Sequence, residues 1–271
     1  MVKLWLPLLL QSAFISIIID DLGDSYTLGM RTLELPESVT LSILPQTPHA
    51  EMLAREAHKK GMPVMLHQPM ESNADNHLLG PGALRQDMTR EAFIEQLREN
   101  LALLPFVEGI NNHMGSKLTS MEEPMNWLMA ELKAQSLFFI DSRTTTETKA
   151  IKAAGNAGVP ALSREVFLDH DDDPEAIEAQ WRRLIRLAQK HGHALAIGHP
   201  RKNTLDVLNR MLPELENQHV ELIAITDWLI RDKVNSKNAP FGLCLNSDNI
   251  LQHHWQQTLE TPCVFPAFPC E

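Results

Sequence analysis

Cysteine is scarce in this chain, and its placement narrows the chemistry that the protein can perform. Only three cysteines occur in 271 residues; Cys244, Cys263 and Cys270 all lie near the C-terminus and lack a CxxC spacing. A zinc–cysteine site and a thiol nucleophile are therefore not expected, and at most one disulfide can form among the three. The sequence also contains no glycine-rich phosphate loop of the GxGxxG or GxxxxGKS/T type, which removes the main support for a nucleotide cofactor.

Positive charge is also in short supply. The chain carries 24 Lys and Arg against 35 Asp and Glu, which gives a formal net charge of -11. That sign opposes the binding of a polyanion such as nucleic acid through the bulk surface, and a neutral or cationic substrate fits better. With 44% hydrophobic residues, the chain can bury the core of one domain of α/β-barrel size, so no second domain is required.

A long apolar segment at the N-terminus is absent too. The short apolar stretch over residues 4–10 follows Lys3 and precedes Gln11-Ser-Ala13. This order is typical of a secretory signal, so we predict a signal peptide over residues 1–13 and a periplasmic or secreted location rather than a cytoplasmic one. The alternatives are a misplaced start codon and a membrane anchor, but an anchor extended to Ile19 would bury the first predicted strand. We therefore expect no stable membrane span.

Helix-like stretches alternate with strand-like apolar runs along most of the chain. Alternation of this kind predicts parallel strands with crossover helices, and about seven or eight strands can be counted once Val39 to Leu44 and Val220 to Ile225 are included. We predict an α/β fold, a single irregular parallel (β/α) barrel over residues 14–232, with a loosely ordered tail over residues 233–271. The predicted helices are Pro48 to Lys60, Thr89 to Leu104, Met121 to Gln135, Pro174 to His191 and Thr204 to Gln218.

Six apolar runs each end on a residue able to bind a metal or move a proton. In parallel α/β barrels the reactive groups lie where strands end and loops begin, so these ends predict one shared mouth. Such recurrence is typical of an enzyme. The polar ends are Asp20-Asp21, His67, Asn112-His113, Asp141, Arg164 and His199.

The pair Asp20-Asp21 is the most informative of these ends, because one carboxylate can ligate a metal while its neighbour handles protons. A carboxylate and two imidazoles hold a divalent metal with positions left open for water, which suits amide or ester hydrolysis. His67 and His113 are the candidate imidazoles, and Glu71 joins as an oxygen ligand if the segment after His67 turns like a helix. The alternatives are an acidic turn and structural histidines.

His199 lies between a glycine and a proline that restrain it, and imidazole titrates near neutral pH, so it is the candidate general acid. Other polar residues near the predicted mouth are candidates to contact the substrate or an oxyanion, or to orient the acid and base. Plain salt bridges explain the charged ones equally well. The set comprises Asn112, Gly115, Ser116, Asp141, Arg143, Arg164 and Asp169.

The order of five motifs resembles the divergent polysaccharide deacetylases, relatives of the NodB-type carbohydrate esterases. The motifs are Asp20-Asp21, His67-Gln-Pro-Met-Glu71, Asn112-His-Met-Gly-Ser116, Asp141-Ser-Arg143 and Gly198-His-Pro200. The resemblance implies a NodB-like barrel, a divalent metal that is commonly zinc, and removal of acetyl groups from N-acetylated sugars. It also implies Asp20 as base, Asp21 as metal ligand and His199 as acid.

Two departures from the family pattern affect the predicted metal site. Glu71 stands where a second histidine four residues after the first is usual, and Asn112-His113-Met114 replaces an Arg-Pro-Pro motif. We therefore predict that His113 supplies the missing imidazole, with Glu71 as the competing ligand.

The predicted function is metal-dependent removal of N-acetyl or O-acyl groups from envelope glycans. A second hypothesis is a glycan-binding or regulatory envelope protein that keeps the barrel without catalysis. A third is a metal-dependent phosphoesterase, which requires a cationic clamp from Arg143, Arg164 or Arg201 at the metal. The sugar, the metal and the oligomeric state stay open.

Overall fold

Nine strands and eight helices make up residues 13–237, the part of the chain that the computed structural model describes. The strands are β1 (Ala13–Leu22), β2 (Thr40–Ile43), β3 (Val64–Met70), β4 (Val107–Met114), β5 (Phe138–Asp141), β6 (Ala161–Ser163), β7 (Val166–Phe167), β8 (His193–Gly198) and β9 (Val220–Leu222). The helices are α1 (Tyr26–Thr32), α2 (Ala50–Lys59), α3 (Arg90–Ala102), α4 (Glu122–Ala134), α5 (Ala150–Ala157), α6 (Pro174–His191), α7 (Lys202–Met211) and α8 (Ile225–Lys237).

The strands form one curled parallel sheet in the order β6-β5-β4-β3-β2-β1-β8-β7, and β9 pairs with the start of β1. Its two edge strands, β6 and β7, are consecutive in the chain and are joined only by Arg164 and Glu165. The N–H of Arg164 donates to Asp141 O on one side, and the N–H of Glu165 donates to Leu195 O on the other. The chain itself thus bridges the gap between β6 and β7, which confirms the predicted irregular (β/α) barrel; nine strands, two of three residues and one of two, stand where about seven were predicted.

Alternation along β1 separates two apolar layers. Ile15, Ile17 and Ile19 pack with the helices outside the sheet, whereas Ile18 belongs to the inner cluster with residues of β3, β5 and β8. The same period of two places Asp20 on the inner face, in the direction of Ile18. Strand ends therefore deliver polar groups to the mouth above a largely apolar barrel interior, in which the buried Ser16 is an exception.

Helix α6 matches its prediction in both bounds, because its ends are well capped. The Asp173 carboxylate accepts from the N–H of Ala176, Pro174 occupies the first turn, and Gly192 ends the helix with a φ of 88°. The predicted helices near 48–60, 89–104 and 121–135 are confirmed with ends moved by one or two residues.

Other predicted bounds were wrong. Helix α7 ends at Met211 rather than Gln218, where Pro213 and two short 3-10 turns replace it. Strand β9 stops at Leu222 instead of Ile225. The carbonyl of Ile223 accepts a hydrogen bond from the Ser16 hydroxyl, and α8 begins at Ile225. Helices α1, α5 and α8 were not predicted.

The chain ends fall largely outside the described residues. The predicted signal peptide over 1–13 meets the structure only at Ala13, the first residue of β1, and α8 runs to Lys237, past the predicted barrel boundary at 232. The rest of the predicted tail, with all three cysteines, lies outside the described residues. Within 13–237, no helix combines the length and the apolar character needed to cross a bilayer.

Candidate metal centre

The C-terminal end of β1 carries both aspartates, and its backbone is irregular there. Pairing with β2 shifts between Ile19 and Leu22, so β1 contains one residue more than β2 over this stretch. Asp21 also has a positive φ of 55°. A bulge re-aims side chains, and this one lets two adjacent carboxylates approach the same ring nitrogen: His67 Nε2 lies 3.1 Å from Asp21 Oδ1 and 3.7 Å from Asp20 Oδ2.

Three potential ligand atoms converge beside this bulge. Asp21 Oδ1 lies 2.9 Å from His113 Nδ1, and the nitrogens His67 Nε2 and His113 Nδ1 are 3.2 Å apart. His67 is on β3 and His113 on the neighbouring strand β4. These three side chains, Asp21, His67 and His113, form the ligand triangle.

The donor set and its spacing fit a divalent metal. Ligand atoms held ~2.0–2.1 Å from a tetrahedral ion lie roughly 3.3 Å from one another, close to the 2.9 to 3.2 Å between Asp21, His67 and His113. Asp21 Oδ1 is buried and, within residues 13–237, makes no well-aligned hydrogen bond; its near neighbours are the two imidazole nitrogens, an arrangement that suits a shared cation. The Asp21 side chain still keeps 36% of its surface exposed, so the triangle is open to a substrate.

The charges within the triangle support one another. Burial raises the pKa of Asp21, but the imidazoles of His113 and His67 outweigh it and hold that pKa well below its usual range. Burial lowers the pKa of His67, whereas Asp20 and Asp21 raise it, with a net result of about 9. A proton on His67 therefore balances the carboxylates in the metal-free protein, and a metal must displace that proton on binding.

Asn111 ties the triangle to Asp20, although it is not among the residues predicted from the sequence. Its Nδ2 donates to Asp20 Oδ1 at 2.7 Å, so its Oδ1 is the acceptor for the Ser42 hydroxyl at 2.6 Å and for His67 Nδ1 at 2.7 Å. His67 thus carries a proton on Nδ1 and turns Nε2 towards Asp21, as an outer partner does for a metal-binding histidine. One signal was available: Asn111 lies two residues before His113 and so shares its strand face.

His199 borders the triangle on another side. Its Nε2 lies 3.6 Å from Asp21 Oδ2, and its Nδ1 lies 2.9 Å from Asp169 Oδ1. Asp169 is fully buried and also accepts from the His199 backbone N–H and from the Thr204 hydroxyl. Burial lowers the pKa of His199, but Asp169 outweighs it and raises that pKa above its usual value. Asp169 therefore orients the ring and favours its protonated form.

Glu71 does not join the triangle, because the helical turn that its role required is not formed. Strand β3 continues to Met70, and four residues of extended chain span roughly 13 Å. Its carboxylate accepts from the N–H of Gln86 at 2.8 Å and pairs with Lys117 at 3.4 Å. Glu71 thus holds the loop after β3.

The family model for divergent polysaccharide deacetylases matches residues 17–229. The chain belongs to this family. The match covers almost all the described residues, from β1 into α8, and confirms the resemblance that the order of the motifs predicted.

Relatives of this divergent deacetylase family member include the uncharacterized protein YibQ of Escherichia coli K12, 34% identical over 226 residues, or 83% of this chain and 70% of YibQ. Among solved structures, the uncharacterized protein ATU2773 of Agrobacterium tumefaciens C58 is similar with a TM-score of 0.77 and 19% identity, over 80% of this chain and 89% of that one. A mutant of BA3943, described as a CE4 family pseudoenzyme with restored enzymatic activity, has a TM-score of 0.50 and 14% identity, over 80% and 68%. At these identities the solved structures show the shared fold.

Three residues predicted to contact the substrate or an oxyanion instead stabilise loops of this family member. They are Asn112, Gly115 and Ser116. Asn112 has the opposite strand parity to His113; its Oδ1 accepts from the N–H of Ser142, and its Nδ2 donates to the carbonyl two residues on. Gly115 turns the chain with a φ of 89°, a conformation that favours glycine. The Ser116 hydroxyl pairs with that of Ser72 at 2.7 Å. These contacts do not support the predicted role in substrate binding.

Asp141, Arg143 and Arg164 organise the neighbouring mouth loop. Asp141 is fully buried, accepts from the N–H of Arg143 and the hydroxyl of Thr148, and has its pKa raised by burial. Arg164 Nε donates to Ser142 O and its Nη2 to Arg143 O. Arg164 therefore holds the loop after β5 by its backbone.

Proposed function

We propose that this protein is a metal-dependent hydrolase that removes N-acetyl or O-acyl groups from a glycan of the cell envelope. The observation that carries the proposal is the convergence of Asp21, His67 and His113 within 3.2 Å of one another, open to solvent on one side. Membership of the divergent polysaccharide deacetylases supports the glycan and the acyl group. The location of that glycan in the cell envelope is inferred from the predicted signal peptide over residues 1–13.

The ligand triangle would hold the metal, and zinc suits one carboxylate with two imidazoles. When bound, such an ion lowers the pKa of water towards ~7 and polarises a carbonyl. The Nδ1–H of His67 is retained by Asn111, so His67 offers only Nε2 to the site.

Asp20 is the proposed general base. It is 2% exposed, and Asn111 holds its Oδ1 at 2.7 Å, which leaves Oδ2 directed at the triangle, 3.7 Å from His67 Nε2. A fixed, buried carboxylate in this position can take a proton from a water that attacks the acyl carbonyl.

His199 is the proposed general acid. Its Nδ1–H is engaged by Asp169, so the proton that it can release is on Nε2, the nitrogen beside Asp21 Oδ2. The raised pKa keeps this proton in place around neutral pH. His199 would give it to the departing sugar amine or hydroxyl, which completes the hydrolysis.

The test combines metal analysis of purified protein with acetate release from chitooligosaccharides and peptidoglycan fragments. Asp20→Asn should keep nearly full metal content and lose turnover, whereas His67→Ala should lose the metal as well. Equal metal loss in both variants would contradict the division between base and ligand. Saccharide binding with no acetate release at full metal occupancy would favour the glycan-binding alternative instead.

The phosphoesterase hypothesis receives less support from the arginines that it needs. Arg164 is tied to the backbone of the loop after β5, and Arg201 Nη1 donates to Asp169 O at 2.6 Å. These bonds hold both guanidinium groups against main-chain carbonyls, and within the described residues neither group makes a hydrogen bond or ion pair with the ligand triangle.

A further inference from the structure

An open cavity lies beside the barrel at the gap between β6 and β7, away from the ligand triangle. Its volume is about 400 Å³, within the ~300–1,000 Å³ usual for small-molecule sites. None of its lining residues belongs to the ligand triangle. The arginine cavity is lined by Arg143, Arg164, Glu165, Arg183, Leu187 and His191.

The arginines of this cavity make no close ion pair with the described part of the protein. Within residues 13–237, no carboxylate lies within 4.0 Å of the guanidinium nitrogens of Arg143, Arg164 or Arg183. The one acid of the lining, Glu165, already accepts from the backbone N–H of Leu195 at 2.8 Å. Three unpaired arginines are unusual in a chain with a net charge of -11.

Arg143 and Arg183 both lie near enough to Arg164 to repel its charge. Burial lowers the pKa of Arg164, and the charges of Arg143 and Arg183 lower it further, while Asp20 and Asp141 act in the opposite direction. An anion held between these guanidinium groups would relieve that repulsion through charge-assisted hydrogen bonds.

One aromatic ring separates the arginine cavity from the proposed acid. The Arg164 guanidinium lies over the Phe167 ring, 5.0 Å from its centroid, and the same ring meets the His199 ring at 5.3 Å. A chain of linked sugars crossing Phe167 can therefore reach both places at once.

We propose that the arginine cavity is a subsite for the negatively charged group, a carboxylate or a phosphate, of an acidic glycan. Binding of that group does not depend on catalysis, but its identity with part of the hydrolysed glycan rests on the proposed function. The cavity locally reverses the preference for neutral or cationic substrates that the net charge predicts.

The test measures affinity by titration calorimetry with three ligands of equal length. They are a tetrasaccharide of alternating N-acetylglucosamine and N-acetylmuramic acid, the same compound with its carboxylates converted to methyl amides, and a tetrasaccharide of uncharged sugars to which one phosphate monoester is attached. Arg183→Gln is the test variant, because Arg183 is exposed and its one side-chain hydrogen bond within residues 13–237 is to Gln180. Arg186→Gln removes the same charge from the same helix outside the cavity and is the control.

We expect an anionic ligand to bind more tightly than the methyl amide, and Arg183→Gln to weaken it roughly five- to tenfold while Arg186→Gln changes it less than twofold. An effect on the carboxylate ligand alone assigns a carboxylate, and one on the phosphate ligand alone assigns a phosphate. Equal affinities for charged and neutral ligands, or equal effects of the two variants, would overturn the subsite.

Acetate release in the same samples separates this proposal from the previous one. Arg183-dependent binding without acetate release from any glycan would leave the subsite standing and remove the hydrolase. Acetate release that is equal for charged and neutral glycans and unchanged in Arg183→Gln would leave the hydrolase standing and remove the subsite. Thermal melts of both variants check that each is folded.

Discussion

Replacing Asn111 with alanine should damage the metal site without touching a metal ligand. The Asn111 amide makes three buried hydrogen bonds of 2.6 to 2.7 Å, to Ser42, His67 and Asp20. Without it, His67 loses the acceptor that holds its proton on Nδ1 and its ring is free to turn. Loss of an outer partner of this kind typically weakens metal binding by about 10- to 100-fold.

The cost in folding stability can be worked out from the same contacts. The bonds to Ser42 and His67 are worth ~1 kcal/mol each, and the bond to the Asp20 carboxylate ~1.5–3 kcal/mol. Asn111→Ala should therefore lower the free energy of unfolding by roughly 3–5 kcal/mol, less where water enters the space. That is a large part of the ~5–15 kcal/mol available to a domain.

Asn112→Ala is the matched control, since Asn112 is the next residue of β4 and has the opposite strand parity. Its amide holds Ser142 N and Met114 O, so its loss should cost ~2 kcal/mol of stability and leave His67 in place. Competition with a chelator measures metal affinity, and urea denaturation of the metal-free variants measures stability. If Asn111→Ala binds metal within twofold of wild type, or if both variants lose affinity equally, the assigned role of Asn111 is wrong.

Three further predictions concern the strained backbone at Asp21, the titration of His67 and the space around two glycines. Asp21→Gly should be more stable to urea than Asp21→Ala by ~1 kcal/mol, because a φ of 55° costs a residue with a Cβ ~1–2 kcal/mol; equal values would show that the bulge relaxes. Since the pKa of His67 is about 9 in the folded protein and 6.5 for an unperturbed histidine, the metal-free protein should lose stability as pH rises from 6.5 to about 9; melts showing no loss would contradict this. Gly109→Ala should cost ~1–3 kcal/mol in urea melts because the new Cβ overlaps the Phe138 ring, while Gly155→Ala, in open space on α5, should gain ~0.5–1 kcal/mol; the opposite order would refute the packing.

Much of the site was accessible from the sequence because strands impose a period of two. The apolar runs before Asp20 and His67 lie in strands β1 and β3, and the two polar residues that follow these runs do meet at one mouth. The competing ligand Glu71 depended on a helical turn after His67, and no single sequence shows whether a strand continues past a proline. Here β3 runs through Pro69 to Met70, which carries Glu71 away.

Residues that position other side chains, rather than bind the metal themselves, were harder to predict. A buried amide such as that of Asn111 has no charge, and its spacing of two residues from His113 indicates a shared strand face but none of its hydrogen-bond partners. Its importance depends on Ser42, 69 positions away, and on Asp20, 91 positions away. Short helices such as α5, with eight residues, and α1, with seven, carry too few turns for a periodic signal.

The bulge in β1 explains how two adjacent aspartates can serve one centre. In a regular strand Asp20 and Asp21 would point to opposite faces, and only one carboxylate would reach His67. The extra residue and the positive φ at Asp21 turn the second carboxylate towards His67, on the same side of the sheet as Asp20. The backbone strain costs ~1–2 kcal/mol. The attraction between Asp21 and two imidazoles offsets that strain, and a bound metal would offset it further. The strain is thus placed where one carboxylate must ligate and its neighbour must remain free to move a proton.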